Sequence, residues 1–171
     1  SKGGLWEKYD PMVYASIETF RMDPSKYWII RGEFIRNYDN YLPNKAHMAL
    51  AELENMGIVR HVITQNIDGL HAESGIPADR IIELHGNINR SKCSVSHRPI
   101  SRDWLADSDQ EPPPSPYVKG ALARPDVVWF GELLPEDVLG AAMDAASRCD
   151  FCFSIGTTSL VQPAASLPLL A

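Results

Sequence analysis

Three short polar clusters in this chain combine residue types that can do chemistry. In TQNIDGLH, the residues Thr64, Gln65, Asn66 and Asp68 crowd together directly after an apolar run. An amide such as Asn66 can orient a hydroxyl or a water, and Asp68 can accept hydrogen bonds from a hydroxyl or a carboxamide. The competing reading makes this segment a polar turn into a helix, with Asp68 capping its first turn. His85 closes the second cluster, IIELHG. An imidazole with an ordinary pKa near 6.5 is a natural general base at neutral pH, and Gly86 beside it lets another molecule approach the backbone. The alternative is a hydrogen-bonded histidine of purely structural use. The third cluster, IGTTSLVQPAA, offers the amides of Gly156, Thr157 and Thr158 with two hydroxyls, an arrangement suited to phosphate oxygens. It matches neither the P-loop nor the GxGxxG spacing. Of the other histidines, only His71 lies in a polar cluster, while His47 falls on a helix and reads as structural.

Each cluster needs an element to aim it. In PNKAHMALAELENMG the apolar residues Ala46, Ala49, Leu50, Leu53 and Met56 recur at helical spacing, with Asn44 at the start and Gly57 at the stop. The β-rich run IVRHVITQN follows and delivers the first cluster; IIELHG reads as a second strand. Further on, PDVVWFGE reads as a strand, LPEDVLGAAMDAASRCD as an amphipathic helix, and CDFCFSIG as a buried strand feeding the third cluster. Between them the chain turns polar and proline-rich, with PPPSP as its clearest linker-like element. The N-terminal stretch mixes helical periodicity with aromatic residues, and Pro24 reads as a helix start. Strands alternating with helices predict an α/β fold: a Rossmann-like, mostly parallel sheet flanked by helices, with a small inserted module. The expected bounds are 1–86 and 125–171 for the main domain and 87–124 for the insertion. In such sheets ligands bind at the carboxyl ends of strands, where all the clusters fall.

With 171 residues there is room for one sizeable core. A net charge of −6 argues against direct nucleic-acid binding and suits a lysine-rich peptide. The cysteines Cys93, Cys149 and Cys152 are too few and too irregular for a disulfide framework, and read as buried free thiols of a reducing compartment. No apolar run reaches membrane-spanning length. A cytoplasmic protein without membrane contact is the expectation.

The blocks TQNIDGLH, IIELHG, RPDVVWFGE and IGTTSLVQPAA, in this order and at these separations, resemble the sirtuin family, as do GLWEKYDP and PNKAHMALAELE upstream. The resemblance runs from Gly3 to Ala171. It implies an NAD-dependent protein-lysine deacylase, chiefly a deacetylase, that yields nicotinamide, an O-acyl-ADP-ribose and free lysine. On matching positions it makes His85 the catalytic base toward the NAD ribose, with Asn66 assisting. Gln65, Asn66 and Asp68 would hold the nicotinamide end, and Gly156, Thr157 and Thr158 the rest of the dinucleotide. Val128, Trp129, Phe130, Gly131 and Glu132 match the strand beside which an extended acyl-lysine peptide pairs by β-augmentation.

The sequence also departs from the family pattern. The GAGxS loop and opening strand of the family, and the strands that finish its adenosine site, do not occur among the 171 residues, so the pyrophosphate and adenosine side is expected to lie outside them. Two CxxC pairs usually hold zinc in the insertion; here their positions read Cys93, Ser96, Ser115 and Val118. One thiolate of four expected ligands makes zinc an unlikely cofactor, and leaves the insertion to apolar contacts such as those of Trp104 and Leu105. Members that remove acidic acyl groups use a Tyr and an Arg three residues apart; the nearest match is Trp28 with Arg31, which keeps a desuccinylase-type activity open. An NAD hydrolase or mono-ADP-ribosyltransferase, and a non-catalytic fragment, are the rival readings.

Overall fold

The computed structural model describes residues 9–28 and 41–171. These fall into two compact units: one drawn from Ser1–Tyr41 and Asn87–Leu133, the other from Leu42–Gly86 and Leu134–Ala171. Arg31 lies outside the described residues.

The second unit is the α/β one. Its longest N-terminal element is a helix at Lys45–Asn55, which forms where the sequence places it because both ends are capped. The Asn44 side chain accepts from the amides of Ala46 and His47, and the His47 Nδ1 accepts from the Asn44 amide in return. Gly57, at φ +73°, takes the left-handed conformation that stops it. Strands Val62–Thr64 and Ile81–Glu83 pair in parallel, Ile63 opposite Ile82. A short helix at Leu70–Glu73 lies between them in sequence. The helix Glu136–Ser147 and a 3-10 segment at Ala164–Leu169 complete the unit. Leu84, 1% exposed, is the centre of its core. Around it pack Ala142 and Ala146 of the long helix, Ala164 and Leu167 of the 3-10 segment, and the half-buried Ile63, Ile82, Leu134 and Val138. The small faces of the alanines let the helix approach the parallel pair, and side chains removed from water at about 25 cal/mol per Å² drive the contact.

The other unit carries short helices at Pro11–Tyr14 and Ile17–Met22 and a three-stranded sheet of Gly86–Cys93, Pro99–Ile100 and Ala123–Val127, with the long strand in the middle. Its first two strands are antiparallel, Ser91 opposite Ile100. A helix at Arg102–Ala106 follows them. The aromatic core stacks Phe20 on Trp129 at 5.4 Å and sets Tyr27 edge-on to Trp129 at 4.7 Å.

Two strand expectations need correction. The segment CDFCFSIG forms no strand: Phe151, Phe153 and Ile155 are 71, 60 and 64% exposed. An apolar run becomes a strand only where another backbone edge pairs with it, and none of the described strands does so here. The thiols follow suit, since Cys93 is buried, Cys149 half-buried and Cys152 exposed. PDVVWFGE is a strand only up to Val127, in the three-stranded sheet rather than beside Val62–Thr64. Trp104 is not a core anchor either. It is 42% exposed and holds its segment by donating from Nε1 to the Pro114 carbonyl at 3.0 Å.

Candidate active site

The parallel strands of the α/β unit aim their carboxyl ends at one cluster. Past the first strand, the Thr64 hydroxyl accepts from the Asn66 amide, turning the chain, and an Asp68 carboxylate oxygen accepts from Leu70 at 3.0 Å. Asp68 therefore braces the turn from one residue before the short helix, whose N-cap position is Gly69, left-handed at φ +78° and without a side-chain cap. Past the second strand, Leu84 donates to the Thr64 carbonyl, which continues the pairing by one residue and brings His85 level with Gln65. His85 Nδ1 lies 3.0 Å from the Gln65 carbonyl oxygen. A carbonyl can only accept, so Nδ1 carries the proton and Nε2 of the neutral ring keeps its lone pair. That is the tautomer a general base needs, fixed by the backbone of the neighbouring strand. Gly86 beside it sits at φ +77°, where a side chain would be strained.

The glycine–threonine turn reaches the same cluster. Gln65 Nε2 donates to Thr157 Oγ1 at 3.5 Å, joining residues 92 apart in sequence. Thr157 Oγ1 also accepts from the Ser159 amide, and Gly156 is left-handed at φ +67°. Gly156, Thr157, Thr158 and Asn66 are exposed, while Gln65, Asp68 and His85 are half-buried. The result is a solvent-open row of amides and hydroxyls beside an oriented imidazole.

Sequence reasoning separated His47 and His71, yet their rings meet at 4.8 Å, and the buried His71 Nδ1 has no hydrogen-bond partner. Burial and the neighbouring His47 hold the His71 imidazole below its ordinary range, against the upward pull of Asp68 and Glu83.

In the other unit, residues 128–132 form a clasped turn. Phe130 donates its amide to the Ala15 carbonyl and accepts from Ile17, each at 3.0 Å, in a parallel bridge. Gly131, at φ +86°, reverses the chain. The Glu132 carboxylate then reaches back to the Trp129 amide at 2.9 Å and takes a bidentate ion pair from Arg124 at 2.7 and 2.6 Å. Arg124 was not singled out from sequence; only its position at the head of RPDVV gave a signal. It is 3% exposed, donates also to the Val127 carbonyl, and lies over the rings of Trp129 and Phe20 at 5.4 and 5.7 Å. Burial pushes the Glu132 carboxyl up. The Arg124 and Trp129 hydrogen bonds, with the charges of Arg124 and Lys92, outweigh it and hold Glu132 below the ordinary value.

The positions expected for zinc do not fit the metal. Cys93 is fully buried, and its sulfur accepts from the Ser96 amide at 3.4 Å. Burial pushes this thiol up, but hydrogen bonds from the Ser115 and Ser96 side chains and from the backbone of Ser96 and Val95 bring it down to about 7. The neutral hydroxyls and the Val118 side chain give no tetrahedral N/S set. No cluster of three or more His, Cys, Asp or Glu occurs among the described residues.

Comparison with known proteins agrees with this geometry. The description "Sir2 family" matches residues 1–163. An NAD-dependent protein deacylase of Pyrococcus furiosus is 46% identical over 177 residues, covering 99% of this chain and 68% of the relative. A Sir2 homologue solved as a complex with ADP-ribose superposes with a TM-score of 0.86 at 41% identity, over 99% of this chain and 67% of that one. A Sir2–p53 peptide–NAD+ complex gives 0.82 at 35% identity, over 91% and 64%. The chain spans about two thirds of the length of these relatives, carries their Rossmann-like α/β fold, and belongs to the Sir2 family.

Proposed function

We infer that the protein is an NAD-dependent protein-lysine deacylase that transfers the acyl group of a lysine to ADP-ribose, releasing nicotinamide and free lysine. The observation that carries this reading is the His85 ring, oriented by the Gln65 carbonyl at the carboxyl end of a parallel strand pair. NAD, when bound, supplies a nicotinamide–ribose bond to cleave and ribose hydroxyls to deprotonate. Nε2 of His85 takes a proton from such a hydroxyl, because its lone pair is the one the hydrogen bond leaves available. Asn66 and Asp68 orient the nicotinamide end, and Gln65, tied to Thr157, lines the same pocket. The exposed amides and hydroxyls of Gly156, Thr157 and Thr158 suit the oxygens of the dinucleotide.

An extended acyl-lysine peptide docks at residues 128–132. The backbone of Phe130 is already paired with Ala15 and Ile17, so the peptide uses the side of the turn presented by Gly131. Acetyl is the leading acyl group. Trp28, where acid-selective members carry Tyr, is buried at 5% exposure, and Arg31 would supply the charge for an acidic acyl group. We further propose that residues 87–124 hold without zinc, Cys93 serving as a hydrogen-bonded core thiol. Free thiols suit a cytoplasmic location, which fractionation checks.

The test is nicotinamide release measured with NAD alone and with an acetyl-lysine peptide added. Release that requires the peptide supports the deacylase; release that ignores it supports an NAD hydrolase and overturns the reading. For the metal, elemental analysis of the purified protein is expected to give well under one zinc per chain. A stoichiometric zinc removed only with loss of structure contradicts the proposal.

A further inference from the structure

The acidic residue of the FGE turn has its carboxylate spent before any peptide arrives. Both oxygens of Glu132 bond to Arg124, and one of them also takes the Trp129 amide. Arg124 Nη2 also donates to the Val127 carbonyl and the guanidinium lies over two aromatic rings, while its buried Nε has no hydrogen-bond partner. These bonds run from the last residue of a strand, through the turn, to Glu132, and so fix residues 127–132 as one rigid loop. Glu132 also donates its own amide to the Trp129 carbonyl, closing the loop a second time. The left-handed Gly131 sits at the tip, where an added Cβ would meet the Ile17 side chain at 3.4 Å.

Resting on the reading that an acyl-lysine peptide pairs with this turn, we propose that Arg124 and Glu132 are positioning residues for that peptide: a buried clasp that aims the Phe130–Gly131 backbone, with neither side chain touching the substrate. A clasp of this kind spends the Arg–carboxylate fork on geometry rather than recognition. It acts on substrates through the peptide backbone, so its effect must scale with how much backbone the substrate offers. An acyl-lysine with blocked termini and no flanking residues offers almost none. This separates positioning from general damage to the fold, which would penalise both substrates alike.

The experiment measures kcat/KM at saturating NAD for an acetyl-lysine peptide and for a capped acetyl-lysine, and reports their ratio. Arg124→Lys keeps the charge but loses the fork, and Glu132→Gln keeps an acceptor for Trp129 but loses the ion pair. In each, the ratio is expected to fall about tenfold through a raised peptide KM, less than the roughly 10²-fold that a misplacement of about 1 Å at the reacting atoms can cost. A ratio equal to that of the unaltered protein, with both substrates slowed together or neither slowed, overturns the inference. If Arg124→Lys does not fold, the Glu132→Gln ratio alone decides. An unaltered protein that releases no nicotinamide with either substrate refutes the deacylase reading, and the clasp's role with it.

Discussion

Removing Glu132 gives the sharpest energetic test of how this fold is held. In Glu132→Ala the Arg124 guanidinium, its side chain 4% exposed, loses both carboxylate bonds and keeps only the Val127 carbonyl among its named acceptors. Hydrogen bonds to charged groups contribute about 1.5–3 kcal/mol each, and breaking a buried ion pair from one side costs about 3–5 kcal/mol. Two features pull the figure to the lower end. The Glu132 side chain is 24% exposed, so water reaches that side of the pair. The faces of Trp129 and Phe20 also continue to support the cation, by about 0.5–2 kcal/mol. A loss of about 3 kcal/mol is therefore expected. At about 2–4 °C per kcal/mol for a chain of this size, the melting temperature falls by about 6–12 °C. Urea denaturation and thermal melts followed by circular dichroism measure it directly. The double variant Arg124→Met with Glu132→Leu removes the unpaired charge and is expected to recover most of the loss, because apolar replacement of a whole buried pair is close to neutral. A single variant within about 0.5 kcal/mol of the unaltered protein, the range of ordinary surface changes, would refute the burial argument. So would a double variant as unstable as the sum of its singles.

Other outcomes follow from the same structure. His85→Ala is expected to lower kcat/KM for acyl-peptide by about 10²–10⁴ while costing about 1 kcal/mol of stability from its lost bond to Gln65; retained turnover removes it as the base. His71, whose folded pKa is depressed below 6.5, favours the native state fully above that pH, and its contribution is lost as pH falls through the folded value. Urea midpoints should therefore decline below about pH 6.5 more steeply than in His71→Gln, and parallel profiles contradict this. Leu84→Ala, at the centre of the α/β core, should cost about 2–5 kcal/mol in chemical denaturation, and a loss below about 1 kcal/mol would mean the site collapses onto the gap.

The helix at Lys45–Asn55 and the parallel pair were legible because their signals are local. Asn44 and Gly57 punctuate the helix, and short apolar runs end in polar clusters at both strands. The central strand of the other sheet was not legible. GNINRSKC buries Asn87 and Ser91 and exposes Asn89 and Arg90, a pattern that only pairing on both sides explains. Nor could sequence say that FCFSIG lacks a strand partner or that PDVVWFGE stops being a strand at Val127, since pairing is decided by distant backbone. The residues of the strand-end cluster could be named from type and spacing. What orients them could not, because the Gln65 carbonyl that sets the His85 tautomer is a backbone atom any residue would supply. The Arg124–Glu132 clasp escaped notice because both residues lie in a segment whose apolar and glycine residues dominate its reading.

In a deacylase of this kind, acyl removal and NAD cleavage are one reaction. The measurement that reaches it most directly is mass spectrometry of the products formed from NAD and a peptide carrying an isotope-labelled acetyl-lysine. Labelled O-acetyl-ADP-ribose is expected in equal amount to nicotinamide and to free lysine; labelled acetate with intact NAD, or ADP-ribose formed with the acetyl group still on lysine, would refute the coupling.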